Sequence, residues 1–266
     1  MKPVHPFGMG FKGMQLHMPE GPSLIIAKEN ISSFIGKKII AADGNARIDF
    51  TKLHGKKIED IRTWGKQLLI ILKDATFRIH FLMFGSYSVN EQTKPDRSLR
   101  LHLTFKTGQL FFYTCSVKEL EGDPEKLYDW EADVMSDRWN AGRARRKLKK
   151  MPDEMVCDAL LDQDVFAGVG NIIKNEVLYR IFLHPETLVG NIPPRKLTQL
   201  INEARNYSFD FLEWKKQYVL RKHWLAHTKK TCKRCDLPFI KKYCGKRKRR
   251  SFFCENCQVL YPQYLT

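Results

Sequence analysis

No apolar run in this sequence is long enough to cross a bilayer. The best, Leu68-Leu69-Ile70-Ile71-Leu72, is strand-sized. Residues 1–17 scatter Pro, Gly and Met and contain no continuous apolar core, so they do not read as a secretory signal. Acidic side chains are scarce, with 29 Asp plus Glu against 46 Lys plus Arg, a formal net charge of +17 over 266 residues. These absences argue against a membrane partner and a secreted, disulfide-stapled fold. They point to a cytoplasmic protein of bacterial type facing a polyanion. In a reducing compartment, any of the seven cysteines that cluster are better read as metal ligands than as disulfides.

What is present divides the chain. Up to about Trp139 the apolar pattern is short and alternating. Arg100-Leu101-His102-Leu103-Thr104-Phe105 and Phe77-Arg78-Ile79-His80-Phe81 place apolar groups at every second position, as half-buried strands do. Asp43-Gly44-Asn45 and Thr107-Gly108 punctuate them, and a helix is expected over 23–35. From 153 to 223 the period lengthens. Val156, Leu160 and Leu161 share one helix face, Ile173, Val177, Leu178 and Ile181 another, and Pro193-Pro194 opens a third helix through Leu197, Leu200, Ile201 and Ala204. The basic run 143–150 reads as a solvated linker or helix face before it reads as a phosphate-tracking element. The fold class is therefore α+β and multidomain. An N-terminal helix with an antiparallel β-sandwich covers 18–140, a basic linker 141–152, a helical domain 153–227 and a zinc β-hairpin 228–266, behind an extension at 1–17.

Cys232-Lys-Arg-Cys235 and Cys254-Glu-Asn-Cys257 place two thiol pairs eighteen residues apart, the spacing of a tetrahedral Zn²⁺ site. Four protein thiolates leave no open coordination position, so one structural ion is expected, contributing about 10–16 kcal/mol of apparent folding energy to a tail with little core of its own. Cys115, Cys157 and Cys244 read as ordinary residues. Between the pairs, Lys241 to Phe253 concentrates positive charge and aromatics on one hairpin, a composition suited to a phosphate backbone.

Pro19-Glu20-Gly21-Pro22 behind Met18, Gly65-Lys66 entering a strand, Gly168-Val169-Gly170-Asn171 in the helical segment and the terminal CxxC hairpin occur in that order. Together they resemble the formamidopyrimidine-DNA glycosylase / endonuclease VIII family over nearly all of the chain from Met18. The resemblance implies a bifunctional DNA glycosylase and abasic-site lyase of base-excision repair, built from a β-sandwich, a helix–two-turn–helix domain and a zinc hairpin. It implies a monomer that acts on damaged DNA and is nucleoid-associated when working. By the match, Pro19 would carry the nucleophilic amine after removal of Met18 and form a Schiff base with the sugar C1′. A terminal amine has a pKa of about 7.7–8.0 against about 10.4 for lysine, so much more of it is unprotonated at neutral pH. Glu20 would be the acid/base, Lys66 would hold the lesion's phosphate and assist, and Asn171 and Arg249 would grip flanking phosphates. Gly168 and Gly170 would let backbone approach DNA, or simply form a helix–helix turn. Leu82-Met83-Phe84 matches the stack-filling loop, with a buried strand end as the competing reading.

The chain also departs from the family pattern. Tyr113-Thr114-Cys115-Ser116-Val117 stands where the formamidopyrimidine branch has Asp-Pro-Arg-Arg-Phe after its Tyr-Thr, and Glu-Gly-Pro replaces Glu-Leu-Pro. Both lean toward the endonuclease VIII branch and toward oxidised pyrimidines as substrate. His227-Thr228-Lys229-Lys230-Thr231 replaces the usual Gly-x-Pro entry to the finger. A retained 1–17 extension would leave Pro19 without an amine, so the working protein is expected to lack it. A non-catalytic damaged-DNA-binding protein is the alternative reading. A zinc-ribbon RNA-binding protein would explain the charge and cysteines but not the front end.

Overall fold

The structure, a computed structural model, describes residues 19–262 together with the short strand β1 (Met14–Gln15). Apart from β1, the extension at 1–17 lies outside the described residues, as does Met18. The chain forms two compact units. One contains 27–62 and 67–124; the other contains 20–26, 63–66 and everything from 125 onward.

The first unit is a pair of antiparallel sheets. Its strands are β2 (Ile39–Asp43), β3 (Asp60–Trp64), β4 (Gln67–Ile71), β5 (Thr76–His80), β6 (Ser86–Val89), β7 (Leu99–Phe105), β8 (Gly108–Tyr113) and β9 (Ser116–Leu120). They are ordered β1-β6-β8-β7-β2 in one sheet and β3-β4-β5-β9 in the other. Helix α1 (Gly21–Ile31) precedes β2 and stops short of the expected 35, followed by a single tighter turn at Ser32–Phe34. The alternation in β7 is followed by the fold. Leu99, Leu101, Leu103 and Phe105 are buried while Arg100, His102 and Thr104 are not. Leu103 faces Leu110, Leu101 faces Phe112, and Phe77 and Ile79 are wholly buried in the second sheet. The Phe81 and Phe112 rings lie 6.3 Å apart, bridging the two layers.

The second unit is helical with a terminal hairpin. After α2 (Pro124–Leu127), Asn140 caps α3 (Ala141–Leu148) by accepting the Arg143 N–H at 2.9 Å. The basic run is thus the polar face of a helix. Arg143 is buried against Asp129 and the Asp164 carbonyl, and Arg146, Lys147, Lys149 and Lys150 face solvent. The helix expected through Leu161 is only the single turn α4 (Val156–Ala159), because Asp162 starts a new turn by accepting the Asp164 N–H. Helix α5 (Asn171–Arg180) follows, then α6 (Pro194–Lys216), with Pro194 at its first position as the sequence anticipates. The hairpin is β10 (Ile240–Cys244) and β11 (Arg249–Phe253), paired Ile240↔Phe253 through Cys244↔Arg249.

Candidate active site

Glu20 is 2% exposed and lies at the N-terminus of α5. Its carboxylate accepts the backbone N–H groups of Gly170 (3.1 Å), Ile172 (2.7 Å) and Ile173 (3.2 Å), three donors that a helix start leaves without partners of its own. Burial pushes the carboxyl above its ordinary range, against the pull of Lys66 and these three donors. Gly170 is required by this approach, since a Cβ there would stand 2.4 Å from the Glu20 carboxyl carbon. Gly168 has φ +98° and packs against the backbones of Gly21 and Gly65. It accepts the Gly21 N–H at 2.8 Å through its carbonyl. Gly168 thus packs backbone on backbone, and Gly170 leaves room for the Glu20 carboxyl.

Lys66 follows Gly65 in the tight turn between β3 and β4. Burial holds its ammonium below the ordinary lysine value, opposed by Glu20 and reinforced by Arg249 and Arg247. Burial thus shifts Glu20 up and Lys66 down, and the charge of each opposes the other's shift. Asp133 fixes this turn. Its buried carboxylate accepts the Gly65 N–H at 2.8 Å and the Met135 N–H at 2.9 Å, and burial raises its pKa to about 6. On another side, Lys215 donates to Ser23 Oγ at 2.7 Å, its ammonium lowered by burial to about 8 with Glu20 opposing. Neither Asp133 nor Lys215 was anticipated from sequence. Nothing in their local pattern separates them from surface charges.

Asn171 opens α5, but its side-chain amide donates to the Arg250 carbonyl at 3.0 Å and its Oδ1 has no partner among the described residues. Arg249 is exposed with no carboxylate partner among the described residues, whereas Arg250 is tied to Tyr243 Oη at 2.7 Å. The tip of the hairpin is less available than its composition suggests. Lys246 pairs with Glu154 at 2.5 Å, Arg247 lies 3.7 Å from Asp162, and Asp158 accepts the N–H groups of both. The free cationic surface is displaced toward Lys241, Lys248 and Arg249.

The sulfurs of Cys232, Cys235, Cys254 and Cys257 lie within 4.8 Å of one another. Backbone N–H groups of Arg234 and Cys235 bond Cys232, and those of Asn256 and Cys257 bond Cys254. Four converging sulfurs supplied with N–H donors fit a tetrahedral thiolate site. The unusual entry to the finger is anchored by fully buried Glu176, whose carboxylate accepts the N–H groups of Leu225 (2.9 Å), Ala226 (2.9 Å) and His227 (2.7 Å).

In the first unit Pro19 is buried. Leu82, Met83 and Phe84 are 52%, 46% and 60% exposed in the connection from β5 to β6, so they do not form a buried strand end. Leu82 has φ +54°, uncommon for a branched residue, and its N–H bonds His80 Nδ1 at 3.2 Å. Three adjacent exposed apolar residues on a strained backbone suit a contact surface.

Family models agree with this architecture. The formamidopyrimidine-DNA glycosylase N-terminal domain matches residues 18–116 and the H2TH domain of the same enzymes matches 131–216. The chain belongs to the formamidopyrimidine-DNA glycosylase / endonuclease VIII family. It is 31% identical to Endonuclease 8-like 3 of Xenopus laevis over 85% of its length and to that of Mus musculus over 96%. It covers only 39% and 43% of those proteins, about two fifths of their length. Against the formamidopyrimidine-DNA glycosylase of Lactobacillus helveticus it is 28% identical, spanning 92% of this chain and all of that one. The Lactococcus lactis formamidopyrimidine-DNA glycosylase, solved bound to DNA containing an abasic site, superposes with a TM-score of 0.79 at 22% identity. It covers 90% of this chain and 99% of the other. A viral DNA glycosylase gives 0.77 at 22% identity, with 90% and 100% covered. These likenesses establish the Fpg-type fold: β-sandwich, helical H2TH domain and cysteine-bearing hairpin.

Proposed function

We propose that this family member is a base-excision enzyme that removes oxidised bases from DNA, pyrimidines favoured, and then cleaves the abasic strand by β,δ-elimination. The observation that carries this reading is the buried Glu20 carboxyl, fixed by three N–H groups and coupled to Lys66, directly after Pro19 in the chain. A protein that only bound DNA would have no use for a carboxyl placed directly beside a nucleophilic amine.

In the proposed reaction the Pro19 nitrogen, free once the residues before it are removed, attacks C1′ of the damaged nucleotide. The C1′–base bond breaks, and the base leaves with the proton that the Pro19 nitrogen gives up on bonding to C1′. Glu20 supplies a proton to the ring oxygen as the sugar opens to the iminium, then helps abstract the proton for elimination. Lys66 holds the lesion's phosphate and assists catalysis. Arg249 and Asn171 grip neighbouring phosphates, and Gly168 and Gly170 keep the α5 N-terminus close to that grip. Leu82, Met83 and Phe84 fill the gap left by the extruded nucleotide. Cys232, Cys235, Cys254 and Cys257 would hold one Zn²⁺, which when bound supplies only rigidity to the finger. The enzyme is proposed to work as a monomer on damaged DNA, in the cytoplasm at the nucleoid.

The decisive assay is strand scission on duplexes carrying thymine glycol, dihydrouracil or 8-oxoguanine. Cleavage of the two pyrimidine lesions ahead of 8-oxoguanine is expected. Binding to all three with no scission by protein starting at Pro19 would leave only the DNA-binding reading.

A further inference from the structure

Helix α5 carries a polar face that reaches no solvent. Asn171, Lys174 and Asn175, at helical spacing i, i+3 and i+4, converge on one carbonyl of the hairpin. The Arg250 carbonyl oxygen accepts from Asn171 Nδ2 at 3.0 Å, Lys174 Nζ at 3.3 Å and Asn175 Nδ2 at 3.4 Å. Lys174 Nζ also donates to Ser251 Oγ at 2.8 Å, and the Asn175 side-chain carbonyl accepts the Phe252 N–H at 3.3 Å.

Lys174 is 0% exposed, with no carboxylate bonded to it among the described residues. Burial lowers its ammonium to about 8, against the pull of Cys157, Cys244 and Asp158, and Arg249 lowers it further. An ammonium is among the costliest groups to bury, and an apolar residue of the same length would fill the space without that penalty. What the lysine adds is a second hydrogen-bonded leg on β11, one peptide beyond Arg249. It adds to Asn171 and Asn175, which hold the Arg250 carbonyl and the Phe252 N–H from the same helix, in pinning a two-stranded ribbon that has few contacts of its own. Among the described residues the Arg249 side chain has no hydrogen-bond or ion-pair partner to hold it.

We propose that Lys174 is a positioning residue for Arg249: from α5 it locks the β11 backbone at Arg250 and Ser251, so that the Arg249 guanidinium is presented to a DNA phosphate already ordered. This rests on the reading of Arg249 as a phosphate ligand. The advantage is preorganisation, since an arginine on an unpinned ribbon would lose more freedom on binding.

The test is a double-mutant cycle on zinc-loaded protein beginning at Pro19, using a duplex with a tetrahydrofuran abasic analogue as probe. Wild type, K174M, R249A and the double variant are compared for Kd, with zinc content and Tm recorded for each. K174M and R249A are each expected to weaken binding about tenfold, and the double variant to be no weaker than R249A alone. The rate of borohydride trapping at saturating abasic DNA should stay at the wild-type value in K174M, which a general loosening of the fold would not allow. If K174M does not fold, S251A, which removes one of the two partners of Lys174, should weaken binding about threefold with the same lack of additivity. Wild-type affinity in K174M and S251A, or losses that add to that of R249A, would overturn the proposal while leaving the phosphate role of Arg249 intact. Wild-type affinity in R249A would overturn that underlying reading, and the proposal with it.

Discussion

The interior of the β-sandwich and helix α5 are both buried, and they are built on opposite principles. In the sandwich, Leu101, Leu103, Leu110, Phe112, Phe77 and Ile79 fill the space between sheets with hydrocarbon, and the charged side chains of the strands stay unburied. In α5 the apolar residues Ile172, Ile173, Val177 and Leu178 are buried, and so are Asn171, Lys174, Asn175 and Glu176. Those polar groups each hold a piece of backbone from elsewhere in the second unit. The helix start holds Glu20, the middle holds β11, and Glu176 holds 225–227. Apolar packing tolerates small shifts at modest cost, whereas a buried hydrogen bond fixes a direction and is expensive to leave unmade. The region proposed to do chemistry is the one assembled from directional contacts.

Substitutions separate the two regions by what each one loses. The largest effect is expected at Glu20. E20Q should keep affinity for abasic DNA within a few-fold yet slow base release about 10²–10⁴-fold, read by single-turnover excision. Next, E176L removes the acceptor for three buried N–H groups and should cost about 3–5 kcal/mol, enough to lower zinc retention as well as Tm. In the sandwich, L103A should cost a comparable 2–5 kcal/mol, roughly, by leaving a cavity, with zinc retention unaffected. Urea unfolding with a zinc-release readout tells these apart.

Asp133 gives a pH-dependent contrast. Its folded pKa, raised to about 6 by burial, exceeds the unfolded value, so the folded state binds the proton more tightly. The resulting stability is fully present below about pH 4 and is lost as pH rises through 6, amounting to about 3 kcal/mol at most. D133N should remove that part of the pH profile, so that its stability relative to wild type improves between pH 4 and pH 7. A constant difference across that range would refute the assignment. The smallest stability effect is expected in the exposed loop. Alanine at Leu82, Met83 and Phe84 should change folding stability by no more than about 0.5 kcal/mol each. Excision from duplex DNA should nevertheless fall about tenfold for the triple variant, and less from single strands, where no stack must be filled.

The same contrast explains what could be read in advance. The sandwich was legible because β7 alternates buried and half-exposed residues in register with its pattern, and the cysteine pairs because metal spacing is short-range. Pro19, Glu20, Lys66, Asn171 and Arg249 could be singled out because the family resemblance rests on short motifs that carry or lie close to them. Asp133, Lys174, Asn175 and Asp158 could not. Each works through a partner from 68 to 89 residues away, such as Gly65, Ser251, Phe252 or Arg247, and a single polar residue carries no trace of such a partner. The partners of the cationic hairpin tip were hidden for the same reason. Its composition is basic, but Glu154, Asp158 and Asp162 arrive from a distant segment to engage it.

The most direct test of the proposed chemistry is to trap protein beginning at Pro19 on abasic DNA with borohydride, digest the adduct and locate the deoxyribose remnant by mass spectrometry. The remnant is expected on the Pro19 nitrogen, with no trapping when the preceding residues are left in place. A remnant on Lys66 or another lysine, or equal trapping with the extension attached, would contradict it.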